Sequence, residues 1–317
     1  MSFQSIQRIE KAQTYLDIAI KRALKSKGPK KRGLAFDKAK PREYERIGII
    51  TEALSEKLSS IAKGFPQIDE LAEFYKELVK VTLDYDKLNK SLVSVKWASS
   101  KIRELANEHK QRIRKIYTFY QLDKAKKAFL GRTSSVMKQI ASSLDYLESA
   151  RKTMADYPVL KTGLFTVCIA GFPNVGKTTL LSKLTTSTPE IKEYAFTTKQ
   201  LNLGYATMNN QKVQFIDTPG TLARPDKMNN LEKQAYLAVK YVADLVIYIF
   251  DLTEPYPLED QKRLLELIKQ FRKPVILYLS KTDLLEQGAI NKFLQENEVI
   301  TSIDELKEGI NKRLSKA

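Results

Sequence analysis

The eight residues GFPNVGKT, Gly171 to Thr178, have the types and spacing needed to hold a polyphosphate. They follow a short apolar run rich in β-formers, LFTVCIA (164–170), and precede TLLSKLT, which reads as a helix. Strand, glycine loop and helix in that order form the setting a phosphate-binding loop requires. The glycines let the backbone wrap close to phosphate, and successive N–H groups and the helix start then face the anion. Gly171, Phe172, Pro173, Asn174, Val175 and Gly176, with Thr179 after them, are therefore read as the loop around the phosphates. Lys177 would reach the β- and γ-phosphates, and the Thr178 hydroxyl would ligate Mg²⁺.

Two further pieces fall where γ-phosphate chemistry needs them. QKVQFIDTPG (211–220) ends a strand with Asp217, which would hold Mg²⁺ through water, and with Gly220, whose N–H would meet the γ-phosphate. Between the loop and this strand lies YAFTTKQLNLG (194–204). Thr197 or Thr198 there would offer a hydroxyl that closes on Mg²⁺ only when the γ-phosphate is present, and Thr198 is preferred. Lys177, Thr198 and Gly220 are thus the groups expected at the reacting phosphate.

The stretch SKTD (280–283) follows PVILYLS at the end of another apolar run. A guanine-reading loop is usually Asn-Lys-x-Asp, and here Ser280 takes the first place. Asp283 would accept from the two adjacent donors on guanine, which adenine would leave unpaired. Lys281 would lay its stem along the base plane, while Ser280 should tie the base to the phosphate loop less well than Asn. After VITS (299–302), the loop at Thr301, Ser302 and Ile303 would bring a backbone N–H to the guanine carbonyl.

These pieces need a sheet to position them. LVIYIFD (245–251) and PVILYLS are continuous apolar runs with a helical QKRLLELIKQF between them, the pattern of buried parallel strands alternating with helices. Ligands bind at the carboxyl ends of such strands, where each motif falls.

The first half is different. The net charge is +17, of which residues 1–160 carry +14. A basic module of this kind attracts polyanions. Apolar residues recur at helical spacing: Ile6, Ile9, Leu16, Ile20 and Leu24 in residues 1–25, then helices over about 42–62, from Ile68, over about 87–120 and over about 134–154. No strand pattern interrupts residues 1–155, so a bundle of long helices is expected. KSKGPKKRG (25–33) reads equally as a phosphate-binding loop or a solvated connector. Residues 96–138 hold 12 Lys or Arg and 3 acidic residues, with Trp97, Tyr117 and Tyr120 among them. The charges are read as a nucleic-acid surface and the rings as core. One cysteine, Cys168, excludes an intrachain disulfide, and one histidine without Cys neighbours argues against structural zinc. No run of 18 apolar residues supports a membrane span.

Together GFPNVGKT, YAFTT, DTPG and SKTD resemble the Obg-type branch of translation-factor GTPases, and within it the Nog (nucleolar G-protein) family. FPQIDELAEFYKEL (65–78), LGRTSSVMKQIASSLDYLESAR (130–151), PEIKEYAFTTKQLNLGY and NLEKQAYLAV extend the resemblance over nearly all of residues 60–317. It implies GTP-dependent work in large ribosomal subunit assembly, with rRNA contacts. The chain stops soon after the second domain and resembles a short archaeal form, so a cytoplasmic location is expected rather than a nucleolar one. Thr221 and Leu222 follow DTPG where many GTPases carry a water-orienting glutamine, a loss that fits this branch and implies slow, partner-accelerated turnover. Asn174 sits where some glutamine-less relatives bind K⁺.

The resulting expectation is an α + α/β chain: a basic helical bundle over residues 1–158, then a Ras-like P-loop GTPase domain with a mostly parallel sheet over 159–317. It would hydrolyse GTP to GDP and phosphate with Mg²⁺ and grip the large-subunit precursor and its rRNA through the bundle, off the membrane and as a monomer. The rivals are a nucleotide-sensing RNA-binding scaffold with incidental turnover, a P-loop ATPase whose SKTD is only a turn, and a membrane-bound basic bundle.

Overall fold

The structure, a computed structural model, describes residues 3–28, 34–161, 163–185, 201–219, 230–253 and 256–316, with 230 and 231 as backbone. It divides into two compact units, residues 1–70 with 83–155, and residues 71–82 with 156–317.

The first unit is helical. It contains α1 (Ala12–Lys25), α2 (Ala35–Gly64), α4 (Tyr85–Arg114), α5 (Phe119–Gln139) and α6 (Ala141–Ala155); the intervening α3 (Glu73–Thr82) belongs to the second unit. Helix α4 buries Leu88, Val95, Ala98, Ile102, Leu105 and Ile113, a stripe at spacings of three, four, seven and eight. Asp84 starts it by accepting the Lys87 N–H at 2.9 Å. Small buried serines let α2 and α4 approach: Ser99 donates to the Ser55 carbonyl at 3.0 Å and lies 3.0 Å from the Ser59 hydroxyl.

Several expectations fail here, among them the helix expected over about 134–154, which is divided at Ile140 between α5 and α6, and the one expected from Ile68, which starts at Glu73. The helix expected over 87–120 stops at Arg114 and restarts at Phe119, because Thr118 is extended and caps α5 through the Gln121 N–H. Helix α1 turns Ala12, Tyr15, Leu16, Ala19 and Ala23 inward, leaving Leu24 exposed. Small residues define the buried face where close packing counts for more than side-chain size. The rings expected in the core are at the surface: Trp97 is 44% exposed, Tyr117 80% and Tyr120 77%.

The second unit is a six-stranded sheet in the order β2-β3-β1-β4-β5-β6. The strands are β1 (Phe165–Ala170), β2 (Asn202–Met208), β3 (Gln211–Asp217), β4 (Leu245–Phe250), β5 (Val275–Leu279) and β6 (Val299–Ile300). Only β2 runs antiparallel, against β3; the other pairings are parallel. One face packs Val167, Ile169, Phe215 and Ile247 against α7 (Lys177–Leu184) and α11 (Ile303–Leu314). On the other, Tyr248 donates to the Gln261 carbonyl of α9 (Leu258–Lys269) and Phe250 meets Phe293 of α10 (Gln287–Glu296). Helix α3 packs on α8 (Asn230–Tyr241). The Tyr75 hydroxyl clasps the segment before β1, donating to the Pro158 carbonyl at 2.9 Å and accepting the Leu160 N–H at 3.0 Å. Those bonds explain why residues 71–82 group with the sheet rather than with the helices that flank them in sequence.

Candidate nucleotide site

The loop after β1 is built on conformations that side chains resist. Gly171 has φ +152°, and a Cβ there would lie 2.9 Å from the Ile249 carbonyl oxygen. Asn174 and Gly176 also have positive φ, 62° and 92°. Together they fold the backbone into a concavity that suits an anion. Val175 is buried beneath it, Pro173 is half-buried and Asn174 and Thr179 are exposed. The Phe172 ring lies 4.8 Å from that of Tyr256.

Lys177 opens α7 and is 8% exposed. Its ammonium donates to the Phe172 carbonyl at 2.6 Å, bringing the cation back over the loop. Burial pushes its pKa down to about 8, partly opposed by the Asp217 carboxylate. A buried cation of this kind favours an incoming anion that restores its charge.

Thr178 donates its hydroxyl to Asp217 Oδ2 at 2.7 Å. Asn202, directly across the β2–β3 ladder from Asp217, donates to the same oxygen at 3.1 Å. Asp217 Oδ1 is buried and has no hydrogen-bond partner among the described residues. An orphaned buried carboxylate oxygen beside a hydroxyl is a hard-oxygen donor set that fits Mg²⁺. The Thr218 N–H and hydroxyl both bond to the Ile169 carbonyl, at 3.1 and 2.8 Å, pinning the chain after β3 to β1. Thr198 and Gly220, with Thr197 and Thr221, lie outside the described residues.

At the neighbouring strand ends, Ser280 donates its N–H and its hydroxyl to the Phe250 carbonyl, at 2.9 and 3.1 Å. Its side chain is thus committed to β4 rather than to the phosphate loop, although a Cβ on Gly176 would stand only 3.9 Å from Ser280 Cβ. Lys281 is left-handed, φ 52°, and Asp283 is exposed in the following tight turn, Thr282–Leu284. Strand β6 pairs with β5 and delivers Thr301, Ser302 and Ile303 to the same edge, where Ser302 caps α11 through the Asp304 N–H.

Asp251, Gln261 and Asn202 had no place in the sequence reading. The Asp251 carboxylate is fully buried, accepts the Thr253 N–H and hydroxyl, and lies 2.7 Å from the Lys281 ammonium. Gln261 clasps the Asp251 backbone on both sides, accepting its N–H at 3.1 Å and donating to its carbonyl at 2.8 Å. The available signal was an acidic residue closing the apolar run LVIYIFD.

Comparisons with known proteins bear on the family of the chain. A family profile described as NOG1 N-terminal helical domain matches residues 3–160, and one described as 50S ribosome-binding GTPase matches residues 166–281. An uncharacterized protein of Methanocaldococcus jannaschii is 39% identical over 80% of this chain and 72% of its own length. Nucleolar GTP-binding protein 1 of Drosophila melanogaster is 31% identical over 94% of this chain and 48% of its own. The chain therefore spans about half the length of that relative. Among solved structures, a variant of Era from Aquifex aeolicus bound to GDP and AlF4⁻ is 29% identical over 47% of this chain and 56% of its own, with a TM-score of 0.37. With its helical N-terminal region followed by a P-loop GTPase domain, the chain belongs to the Nog family, which includes the nucleolar GTP-binding proteins.

Proposed function

We propose that this chain hydrolyses GTP to GDP and phosphate and uses that cycle in assembling the large ribosomal subunit. The carrying observation is the convergence, at the carboxyl ends of β1, β3 and β5, of the 171–178 loop, the Thr178–Asp217 pair and the 280–283 turn. In this reading the loop N–H groups and Lys177 hold the β- and γ-phosphates and neutralise charge that develops during transfer. Thr178 and Asp217 would hold Mg²⁺, with Thr198 joining them in the GTP state, and Gly220 would meet the γ-phosphate. Bound there, Mg²⁺ would supply charge neutralisation across the phosphates. Asp283 and Lys281 read guanine, and Thr301, Ser302 and Ile303 close over its carbonyl. Asn174 is the proposed K⁺ ligand.

Turnover would be slow alone and faster with a partner, since no glutamine follows DTPG. The basic bundle would grip rRNA on a pre-ribosomal particle; the description 50S ribosome-binding GTPase, matched by residues 166–281, supports association with a ribosome. Among the described residues no helix is long and apolar enough to cross a membrane. A cytoplasmic monomer is the proposed form. Single-turnover hydrolysis with and without large-subunit precursors tests the cycle. No acceleration by particles would favour the scaffold reading instead. Crosslinking to RNA in cells tests the target, with enrichment in large-subunit rRNA expected and lost in Lys177→Ala.

A further inference from the structure

Tyr117, Phe119 and Tyr120 stand together at the corner between α4 and α5, 80%, 56% and 77% exposed. Phe119 packs edge-on against Phe36, but Tyr117 and Tyr120 leave most of their rings in water, an unfavourable arrangement that a partner would relieve. Beside them a groove of 880 Å³ runs between α2 and α4, lined by Tyr44 and Tyr117. Cations back both rings. The Lys110 ammonium lies 5.1 Å from the Tyr44 ring, and Arg114 donates to the Tyr44 hydroxyl at 3.0 Å. Lys40 sits 5.4 Å from the Tyr117 ring and also bonds to the Arg114 and Ile116 carbonyls, at 2.7 and 2.9 Å. It thereby closes the end of α4 and fixes the backbone that carries Tyr117.

The occupant follows from what else lines the site. Asp37, Glu45 and Glu52 balance Lys40, Lys110 and Arg114 in the groove lining, which leaves no net positive charge to draw an acidic peptide along it but offers acceptors to base edges, whose amino groups donate. Outside the groove Arg112, Lys115 and Lys124 are exposed. Rings, acceptors and cations within, and further cations without, match the bases and phosphates of an unpaired strand; a duplex keeps its base faces stacked.

We propose that this corner binds unpaired nucleotides of an RNA, with Tyr117 and Tyr120 stacking on bases and Arg112, Lys115 and Lys124 meeting phosphates. The proposal rests on the RNA-binding reading above and narrows it to one strand state and one place.

Fluorescence anisotropy of the full chain with a labelled, unstructured RNA oligonucleotide and with its duplex tests it. Replacing Tyr117 and Tyr120 by Ala should weaken single-strand binding by about tenfold for each ring and leave duplex binding unchanged. Replacing both by Phe should preserve affinity, and replacing both by Leu should lose it as Ala does. Replacing Arg112, Lys115 and Lys124 by Ala should weaken both RNAs and lower the salt slope for the single strand by about 2. Unchanged single-strand affinity in the Ala variant, or affinity retained with Leu, overturns the stacking proposal even if the cation variant shows that RNA is bound. Displacement of RNA by polyglutamate from wild type but not from the Ala variant would assign the corner to a protein and also overturn it. Absence of binding by wild type to either RNA at low salt would overturn the broader reading as well.

Discussion

Asp251→Asn should loosen the guanine turn without replacing any residue that reads the base. The carboxylate is fully buried and its Oδ1 accepts two Thr253 donors, at 2.8 and 2.7 Å. Asn keeps the volume and one carbonyl oxygen for those donors, so the change isolates the charge facing Lys281. Breaking a wholly buried pair costs about 3–5 kcal/mol, whereas an exposed pair is worth about 0–1. The Lys281 side chain retains 27% exposure and its ammonium can turn to water. The cost should therefore fall between those limits, at about 1–3 kcal/mol of stability. Lys281 also holds a left-handed backbone, φ 52°, a conformation that surrounding contacts must maintain. Losing the tether makes nucleotide binding supply that order, which should weaken GDP by about 2- to 12-fold, the equivalent of one immobilised side chain. Urea unfolding and displacement of a fluorescent GDP analogue should be measured for Asp251→Asn, Lys281→Met and the double variant. The two substitutions should be non-additive by about 1 kcal/mol or more. Additivity within about 0.5 kcal/mol would refute a working tether.

Ser280→Asn should tighten GDP by about 2- to 12-fold, the worth of one added hydrogen bond, because the present hydroxyl is spent on Phe250; titration calorimetry reads it. Asp283→Asn should relax the preference for GTP over ATP in competition, and an unchanged preference would make SKTD an ordinary turn. GTPase rates in KCl should exceed those in NaCl at one ionic strength, and Asn174→Ala should remove the difference. Lys177, held at about 8 by burial, is about half neutral at pH 8 before nucleotide binds. Binding should therefore take up about half a proton at pH 8 and about a tenth at pH 7, measured by calorimetry in buffers of different ionisation heat. Because the folded value lies below the unfolded one, the nucleotide-free fold carries the full penalty below pH 8 and is relieved as pH rises from 8 toward 10.5.

Motifs that work through backbone geometry were the most legible. Gly171 and Gly176 both hold positive φ, and at Gly171 close approach to Ile249 also excludes a side chain, so their spacing carries direct structural information. Strand β4 was equally plain, since burial on both faces leaves no polar alternation to misread. Asp251 and Asn202 escaped because each acts through a partner distant in sequence, Lys281 and Asp217, which only the sheet brings near. The ring residues were misassigned because tyrosine and tryptophan suit either a core or a wet surface, and helical spacing does not say which face is turned in. The break at residues 115–118 was hidden by flanking residues that continue the helical period, while its cause is a single cap at Thr118.

The hydroxyl of Tyr75 has a consequence for the order of synthesis. It secures residues 158–160 from a helix made about eighty residues earlier, and the chain that becomes α4, α5 and α6 emerges between the two. On a ribosome releasing the chain from its N-terminus, α3 exists before any strand of its sheet does. Its apolar face, Phe74, Leu78 and Val79, must wait in water while the helices around it condense. The slow step in making this protein should then be the late docking of α3, a closure of high sequence separation, and a fragment beginning at residue 159 would emerge without the helix that its α8 is shaped to receive.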